Sequence, residues 1–161
     1  MSDLLNFAAT SARHRLPLIF PGQVQKEFFV NEAHALVDAL LHPVVLGITT
    51  APPADAADGD CWIVGSEAEA AWAGQADMLA CRQAGTWLFA APCDGLRVYD
   101  RASGADLRYC DGRWIGAAPV RAPEGGAVVD SEARRAVGAL IAALTDAGLL
   151  PRSGRAGDQA A

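Results

Sequence analysis

The sequence predicts an α+β fold built on a small antiparallel β-sheet or barrel of five to six short strands. An extended arm and one helix precede the strands, and an amphipathic helix follows them. Two observations predict this order. Residues 43–116 contain short β-branched and aromatic runs at roughly ten-residue spacing, separated by Gly, Asp and Pro. On either side of them, at 23–42 and 130–150, apolar residues recur with helical spacing.

Residues 1–22 are predicted to form an extended N-terminal arm. Pro17 and Pro21 each push the preceding residue out of the helical region, so the segment between them runs extended. We expect this arm to lie over another surface.

The first helix is predicted over residues 23–42, where Pro43 ends it. Its apolar positions follow the i, i+3, i+4, i+7 pattern and are Val30, Ala33, His34, Val37, Leu40 and Leu41. The polar residues fall largely on other faces of the helix and are Gln25, Lys26, Glu27, Asn31, Glu32 and Asp38. A polar set of candidate contacts comprises Gln23, Gln25, Lys26, Asn31 and Glu32. This set is either an interface with other subunits or a network that holds the arm, and the sequence leaves both open.

The helix and the strands together form the predicted domain at residues 23–116. Gln83-Ala84-Gly85 separates two apolar runs and predicts a hairpin. Asp111-Gly112 is a two-residue hairpin signal of the same kind.

Residues 117–129 are predicted to be a Pro/Gly linker before a C-terminal helix at 130–150. Asp130 suits the N-cap, Gly148 suits the C-terminal cap, and residues 151–161 form a tail. We expect the apolar stripe of this helix to contact other subunits; it consists of Val137, Leu140, Ile141 and Leu144.

Charge and composition exclude several classes of partner. The net charge is −6, so attraction to nucleic acid or to an anionic membrane surface is not expected. Only 20% of residues are charged, which fits either alanine richness or a subunit partly covered by neighbours. No signal peptide or membrane span is visible at the start, which predicts a cytoplasmic location during synthesis and assembly.

No catalytic, metal or cofactor motif emerges. The 3 histidines form no His-x-x-x-His pair, and no Gly-x-Ser-x-Gly or phosphate-binding loop occurs. The 4 cysteines are irregularly spaced and are expected to be buried thiols. A glycosidase would need two facing carboxylates. The candidates all lie at predicted turns and are Asp60, Asp94, Asp100 and Asp111. We therefore expect no enzymatic activity, no metal and no cofactor.

The tryptophans leave an alternative open. Exposed aromatic rings are what a carbohydrate-binding module uses to stack on sugars, whereas in a small sheet tryptophans more often form the core. The rings in question belong to Trp62, Trp72, Trp87 and Trp114.

An ordered set of short motifs carries a family resemblance. It begins with Leu18-Ile19-Phe20-Pro21-Gly22-Gln23-Val24-Gln25-Lys26 and Asn31-Glu32-Ala33. It continues with Pro52-Pro53, Asp58-Gly59-Asp60, Trp62-Ile63-Val64-Gly65, Ala71-Trp72-Ala73-Gly74, Gly85-Thr86-Trp87 and Asp111-Gly112-Arg113-Trp114-Ile115. In this order, over about residues 16–116, the set resembles an uncharacterised domain family of alphaproteobacterial prophages and gene transfer agents.

The resemblance implies a virion component near head spikes or tail fibres and no known activity. Because the chain ends soon after the domain, we expect an adaptor or base subunit that forms a homo-oligomer. Its expected partners are further copies and other virion proteins, such as capsid, spike or fibre subunits, and its final location would be the particle. The alternative is a carbohydrate-binding module that recognises host capsule or surface polysaccharide.

Overall fold

The computed structural model describes residues 10–19, 22, 26–125 and 130–152. Within these residues it contains two helices and eight strands, so the predicted α+β class is confirmed. The strands lie in two small sheets that do not close, and the barrel alternative is not realised. The chain divides into two compact units, Met1–Pro92 and Cys93–Ala161.

The first unit contains one helix and most of the short strands. Their bounds are α1 Lys26–Leu41, β1 Val44–Val45, β2 Ile48–Thr49, β3 Cys61–Val64, a 3₁₀ turn Ala70–Trp72, β4 Leu79–Gln83 and β5 Thr86–Ala90. Its sheet has the strand order β2-β3-β4-β5. β2 pairs with β3 in parallel, unlike the antiparallel prediction, because residues 50–60 cross back before β3 begins.

The predicted hairpin at Gln83-Ala84-Gly85 is confirmed as the β4–β5 connection. Ala84 and Gly85 have φ values of 48° and 75°, the two positive values of a type I′ turn. This turn matches the right-handed twist of the strands it joins, so it fixes their register locally.

The central strands of the first sheet are buried on both faces. On one face, Trp62, Val64 and Ala80 pack with Trp72, and the half-buried Trp87 and Phe89 complete the cluster. Since side chains alternate along a strand, Cys61, Ile63, Leu79 and Cys81 face the other way, and they are also buried. All four residues of β3 are therefore buried.

The second unit is an antiparallel meander followed by a helix. Its elements are β6 Arg97–Asp100, β7 Ala105–Cys110, β8 Arg113–Gly116 and α2 Ser131–Asp146. Asp111 and Gly112 join β7 to β8 with φ values of 51° and 77°, so this predicted hairpin is confirmed as well.

Both predicted caps of α2 are confirmed. The Asp130 side chain accepts hydrogen bonds from the backbone N–H groups of Glu132 and Ala133 at 3.0 and 2.9 Å. At the other end, Gly148 has a φ of 73°. The Gly148 N–H donates to the Thr145 carbonyl, and the Leu149 N–H donates to the Leu144 carbonyl, which is the Schellman arrangement.

The described part of the arm, residues 10–19, folds back on itself before it runs extended. Thr10 and Pro17 form an antiparallel bridge around a turn at residues 12–14. Ser11 closes the loop, because its N–H donates to the Leu16 carbonyl and its hydroxyl accepts from the Leu16 N–H, both at 2.9 Å. We call residues 10–17 the arm loop.

Candidate interaction surface

One face of α1 holds the arm. Asn31 is bonded twice to Ile19: its Oδ1 accepts from the Ile19 N–H at 2.8 Å, and its Nδ2 donates to the Ile19 carbonyl at 3.0 Å. His34 Nδ1 lies 3.0 Å from the Pro17 carbonyl oxygen. The Gly22 N–H donates to Glu27 Oε1 at 3.3 Å. Of the two roles left open for the polar set, Asn31 therefore serves to hold the arm.

Asp38 is the centre of this contact, although the sequence placed it only among the polar positions of the helix and not among the candidate contacts. Its carboxylate is buried and accepts the N–H of Arg13 at 2.7 Å and that of His14 at 2.5 Å. The Arg13 guanidinium donates in turn to the carbonyls of Ala39 and His42 at 3.0 and 2.8 Å, at the end of α1. One indication of this contact in the sequence is that Asp38 lies near Ala35 and Ala39, whose small side chains allow another segment to pack closely.

Asn31 is the one member of the polar set for which the described residues show an arm contact. Lys26 and Glu32 are exposed on α1, and Gln23 and Gln25 lie outside the described residues.

The opposite face of α1 is apolar and open to solvent. With about 3.6 residues per turn, one continuous arc collects seven side chains, which we call the α1 apolar face: Phe29, Val30, Ala33, Leu36, Val37, Leu40 and Leu41. Phe29 is 77% exposed and Leu41 60% exposed. From Phe29 onward, no charged side chain interrupts the arc. The helix thus buries its polar face and exposes its apolar one.

Phe28 and Phe29 were missed as candidates because the periodic pattern was read from Val30 onward. Phe28 is 71% exposed and, at about 100° per residue, lies on the side of Ala35 and Ala39, outside the α1 apolar face. Two adjacent phenylalanines near a helix start are a usable signal, since one helix cannot bury both on the same side.

α2 carries a second exposed apolar stripe. None of its residues is buried, and the predicted interface residues Val137 and Leu140 are 40% and 59% exposed. Ile141 and Leu144 are half-buried. We call these four residues the α2 stripe.

Three of the four tryptophans form a packed cluster. Trp72 is fully buried, and its ring lies edge-on to Trp87 at a centroid distance of 4.9 Å. Trp62 is also buried, and the Arg82 guanidinium lies 5.1 Å from the centre of the Trp87 ring. Neither Trp62 nor Trp72 presents a ring to a ligand. Trp114 is half-buried and packs against Tyr109 at 5.2 Å.

Residues 30–115 match the family described as Protein of unknown function (DUF2793). The chain belongs to this family. No curated protein and no solved structure matches the chain.

The DUF2793 match includes most of α1 and all eight strands except the last residue of β8, but not α2. The arm-holding residues Asn31 and Asp38 and the whole α1 apolar face except Phe29 therefore lie inside or at the edge of the family domain. The α2 stripe lies outside it.

Three of the four candidate carboxylates of the DUF2793 chain accept hydrogen bonds from residues close in sequence. Asp60 accepts the Ala57 N–H at 2.9 Å, and buried Asp100 accepts the N–H groups of Ala102 and Ser103 at 2.9 and 3.1 Å. Asp111 accepts from the Cys110 thiol at 3.4 Å, and Asp94 is exposed. These bonds stabilise turns.

Among the described residues, no group of three His, Cys, Asp or Glu side chains is placed to hold a metal ion. In the same part of the chain, no helix has the length and apolar character needed to cross a membrane.

Two buried thiols face each other across β3 and β4. Cys61 and Cys81 are 3% and 5% exposed and occupy directly opposed positions. Their mutual hydrogen bond lowers the pKa of Cys61 and raises that of Cys81. Burial opposes the lowering at Cys61, and the nearby Arg13 charge favours it. Cys81 therefore keeps its proton while Cys61 is the more readily ionised thiol.

Proposed function

We propose that the chain is a structural adaptor or base subunit of a phage-like particle, such as a gene transfer agent. It would work at the attachment of a head spike or tail fibre, through contacts between copies of itself and with other virion proteins. The observation that carries the proposal is the α1 apolar face, which is solvent-exposed although the opposite face of the same helix is tightly held.

Exposure of this face is costly in a free monomer. Full burial of a Val, Leu or Phe side chain is worth about 1.5–3 kcal/mol. The α1 apolar face has several such groups, among them Phe29, Leu40 and Leu41, at 77%, 37% and 60% exposure. A helix face that is apolar over its whole length is typical of a contact with another protein surface.

A second copy of the same chain is the occupant we favour. The chain has a net charge of −6, so copies repel one another except where a surface is uncharged. The α1 apolar face is such a surface from Phe29 to Leu41. Symmetric homo-oligomers use the same patch on each copy, and an uncharged helix face is self-complementary in this sense.

The α2 stripe supports the same conclusion independently. Asp130 and the Gly148 turn cap both ends of a helix that has no buried residue. A well-capped helix whose apolar stripe stays open gains most of its stability only after association, since packing of the apolar face is the main source of helix stability.

The particle context rests on the order of motifs over residues 16–116. This set resembles domains of alphaproteobacterial prophages and gene transfer agents, and the DUF2793 match falls within the same stretch. The match gives the family and no function, so the particle assignment needs its own experiment.

The oligomer is tested by light scattering coupled to size-exclusion chromatography. We expect wild-type chain to be oligomeric and Phe29→Gln/Leu41→Gln to shift it towards monomer. The matched control is Glu32→Gln, an exposed position on the same helix, which should leave the oligomer unchanged. A monomeric wild-type protein at high concentration would reject association through α1.

The particle assignment is tested by mass spectrometry of density-gradient-purified, DNA-containing particles from producing cells. We expect the chain at a fixed ratio to the capsid protein. Its absence from intact particles would reject the virion assignment while leaving the oligomer result valid.

A carbohydrate-binding module is the second candidate, and Tyr109 and Trp114 are the observation that favours it. Both rings are half-buried on neighbouring strands β7 and β8, with their planes inclined at 63°. A glycan panel of capsule and surface polysaccharides tests this candidate. Binding that is lost in Trp114→Ala and kept in Arg113→Ala would support it, and no binding by wild-type oligomer would reject it.

A further inference from the structure

The register of β3 and β4 places Cys61 directly opposite Cys81. The backbone shows which kind of pair this is. The Cys61 carbonyl accepts from the Leu46 N–H at 2.8 Å, and the Ile63 N–H donates to the Gly47 carbonyl at 3.0 Å. The backbone carbonyl of Cys61 and the backbone N–H of Ile63 therefore point away from β4. Cys61 and Cys81 form a non-hydrogen-bonded antiparallel pair.

This kind of pair brings two side chains closest together. The Cα atoms of a non-hydrogen-bonded pair are about 4.5 Å apart, and the Cβ atoms are about 4.5–5.5 Å apart. A disulfide needs Cα atoms at about 4.4–6.8 Å. The strands thus already hold Cys61 and Cys81 at a separation that a disulfide spans with only small movements of the Cβ atoms.

The Cys61–Cys81 pair differs from the other two cysteines in burial. Cys61 and Cys81 are buried, whereas Cys93 is exposed and Cys110 half-buried. The arm loop covers the beginning of β3, where a Cβ placed on Gly59 would lie 3.2 Å from Ala12 Cβ. Burial of both residues favours a small oxidant over a large one, because a molecule close to water in size needs little space.

We propose that Cys61 and Cys81 are a redox modification site that a small peroxide converts to an intramolecular disulfide. This inference does not depend on the proposed function. Cys61 reacts first, because the Cys81 thiol and the Arg13 charge stabilise its thiolate.

The reaction balances in two steps. The Cys61 thiolate attacks one oxygen of hydrogen peroxide and the O–O bond breaks, which gives a sulfenic acid and a hydroxide that takes up a proton to become water. The Cys81 sulfur then attacks the Cys61 sulfur; the S–S bond forms, the S–O bond breaks, and the hydroxide leaves as water with the Cys81 proton. Two thiols are oxidised by two electrons, and one peroxide is reduced to two waters.

The disulfide would tie β3 to β4 across the segment that contains Trp72. Cross-linking restricts the unfolded chain, so it stabilises the fold where the native geometry accepts it. Oxidation should therefore raise the melting temperature of the protein, by about 5 °C or more.

The test uses the full chain with Cys93→Ser and Cys110→Ser, which leaves only the pair. After treatment of the folded protein with hydrogen peroxide, we expect the intact mass to fall by two hydrogens. Peptide mapping should link Cys61 to Cys81, and a thiol reductant should restore both the mass and the original melting temperature.

Adding Cys81→Ala to this background provides the control, and it should stop at addition of oxygen to Cys61. If that variant does not fold, differential alkylation of the parent protein before and after peroxide identifies the same two sulfurs. Oxygen addition without loss of hydrogen in the parent would overturn the proposal. Two free thiols after treatment that fully oxidises wild-type Cys93 would overturn it as well.

Discussion

The two sheets of this chain are of similar size but are stabilised in different ways. In the β2–β5 sheet the central strands β3 and β4 are buried on both faces over most of their length, and every residue of β3 is buried. Among β6, β7 and β8 few positions are buried: Val98, Asp100 and Ala105 are, whereas Arg97 and Arg108 are exposed. The first unit is held by contacts such as that of Arg13 with Asp38, which are distant in sequence. The second combines turns and caps formed by near neighbours with longer-range bonds, since the Asp106 N–H donates to the Gly148 carbonyl at 3.1 Å.

Because several elements of the second unit are stabilised by neighbouring residues, each of them can be predicted from its own stretch of sequence. Asp100 holds the turn that follows it, Asp111-Gly112 forms its own hairpin, and Asp130 caps its own helix. The first unit combines the tryptophan cluster, the cysteine face and the arm, none of which is complete within one local segment.

The largest expected effect lies in the tryptophan cluster. Trp72→Ala should lower the free energy of unfolding of the first unit by about 3–5 kcal/mol, because a fully buried ring is replaced by a cavity. Chemical denaturation measures the change. The matched variant is Trp114→Ala in the second sheet, for which we expect about 1 kcal/mol. Equal losses would remove the contrast between the two sheets.

A smaller effect is expected from the arm contact. Asp38→Ala removes two hydrogen bonds from a buried carboxylate and leaves the N–H groups of Arg13 and His14 unpaired, which should cost about 2–3 kcal/mol. Trypsin should then cleave after Arg13 and Arg15 much faster than in wild type. Glu32→Ala, at an exposed position of the same helix, should change neither quantity. Unchanged cleavage in Asp38→Ala would show that the arm is held by other contacts.

The smallest effect tests the local stabilisation of the second unit. Asp130→Ala should destabilise α2 by about 1 kcal/mol, because two backbone N–H groups lose their acceptor. The change is read from helical circular dichroism during thermal unfolding. Ser131→Ala, one position further along, serves as the control. A loss as large as that of Asp38→Ala would mean that the Asp130 cap stabilises more than the first turn of α2.

The sequence was informative where structure is determined by neighbouring residues. The α+β class, both type I′ hairpins and both caps of α2 follow from residues such as Gly85 and Asp130, whose conformational preferences act over a few positions. The parallel pairing of β2 with β3 was not predictable in this way, because two-residue strands carry no periodic signal.

The orientation of α1 was also beyond local reasoning. Its apolar period is genuine, but which face the protein buries depends on the arm loop, more than twenty residues away from Asp38. The arm supplies main-chain donors and acceptors that only polar side chains can satisfy. The polar face is therefore buried, and the α1 apolar face remains for association.

The way α1 holds the arm sets which changes in the arm the protein tolerates. Asn31 and Asp38 bind backbone atoms of Ile19, Arg13 and His14, so the side chains at positions 14 and 19 can vary without loss of these bonds. Proline at 13 or 14 is excluded because it has no N–H to donate. Spacing matters more than identity: an insertion or deletion between positions 14 and 19 would leave one of the two helix side chains without its backbone partner. The arm should therefore accept substitutions readily and changes of length poorly.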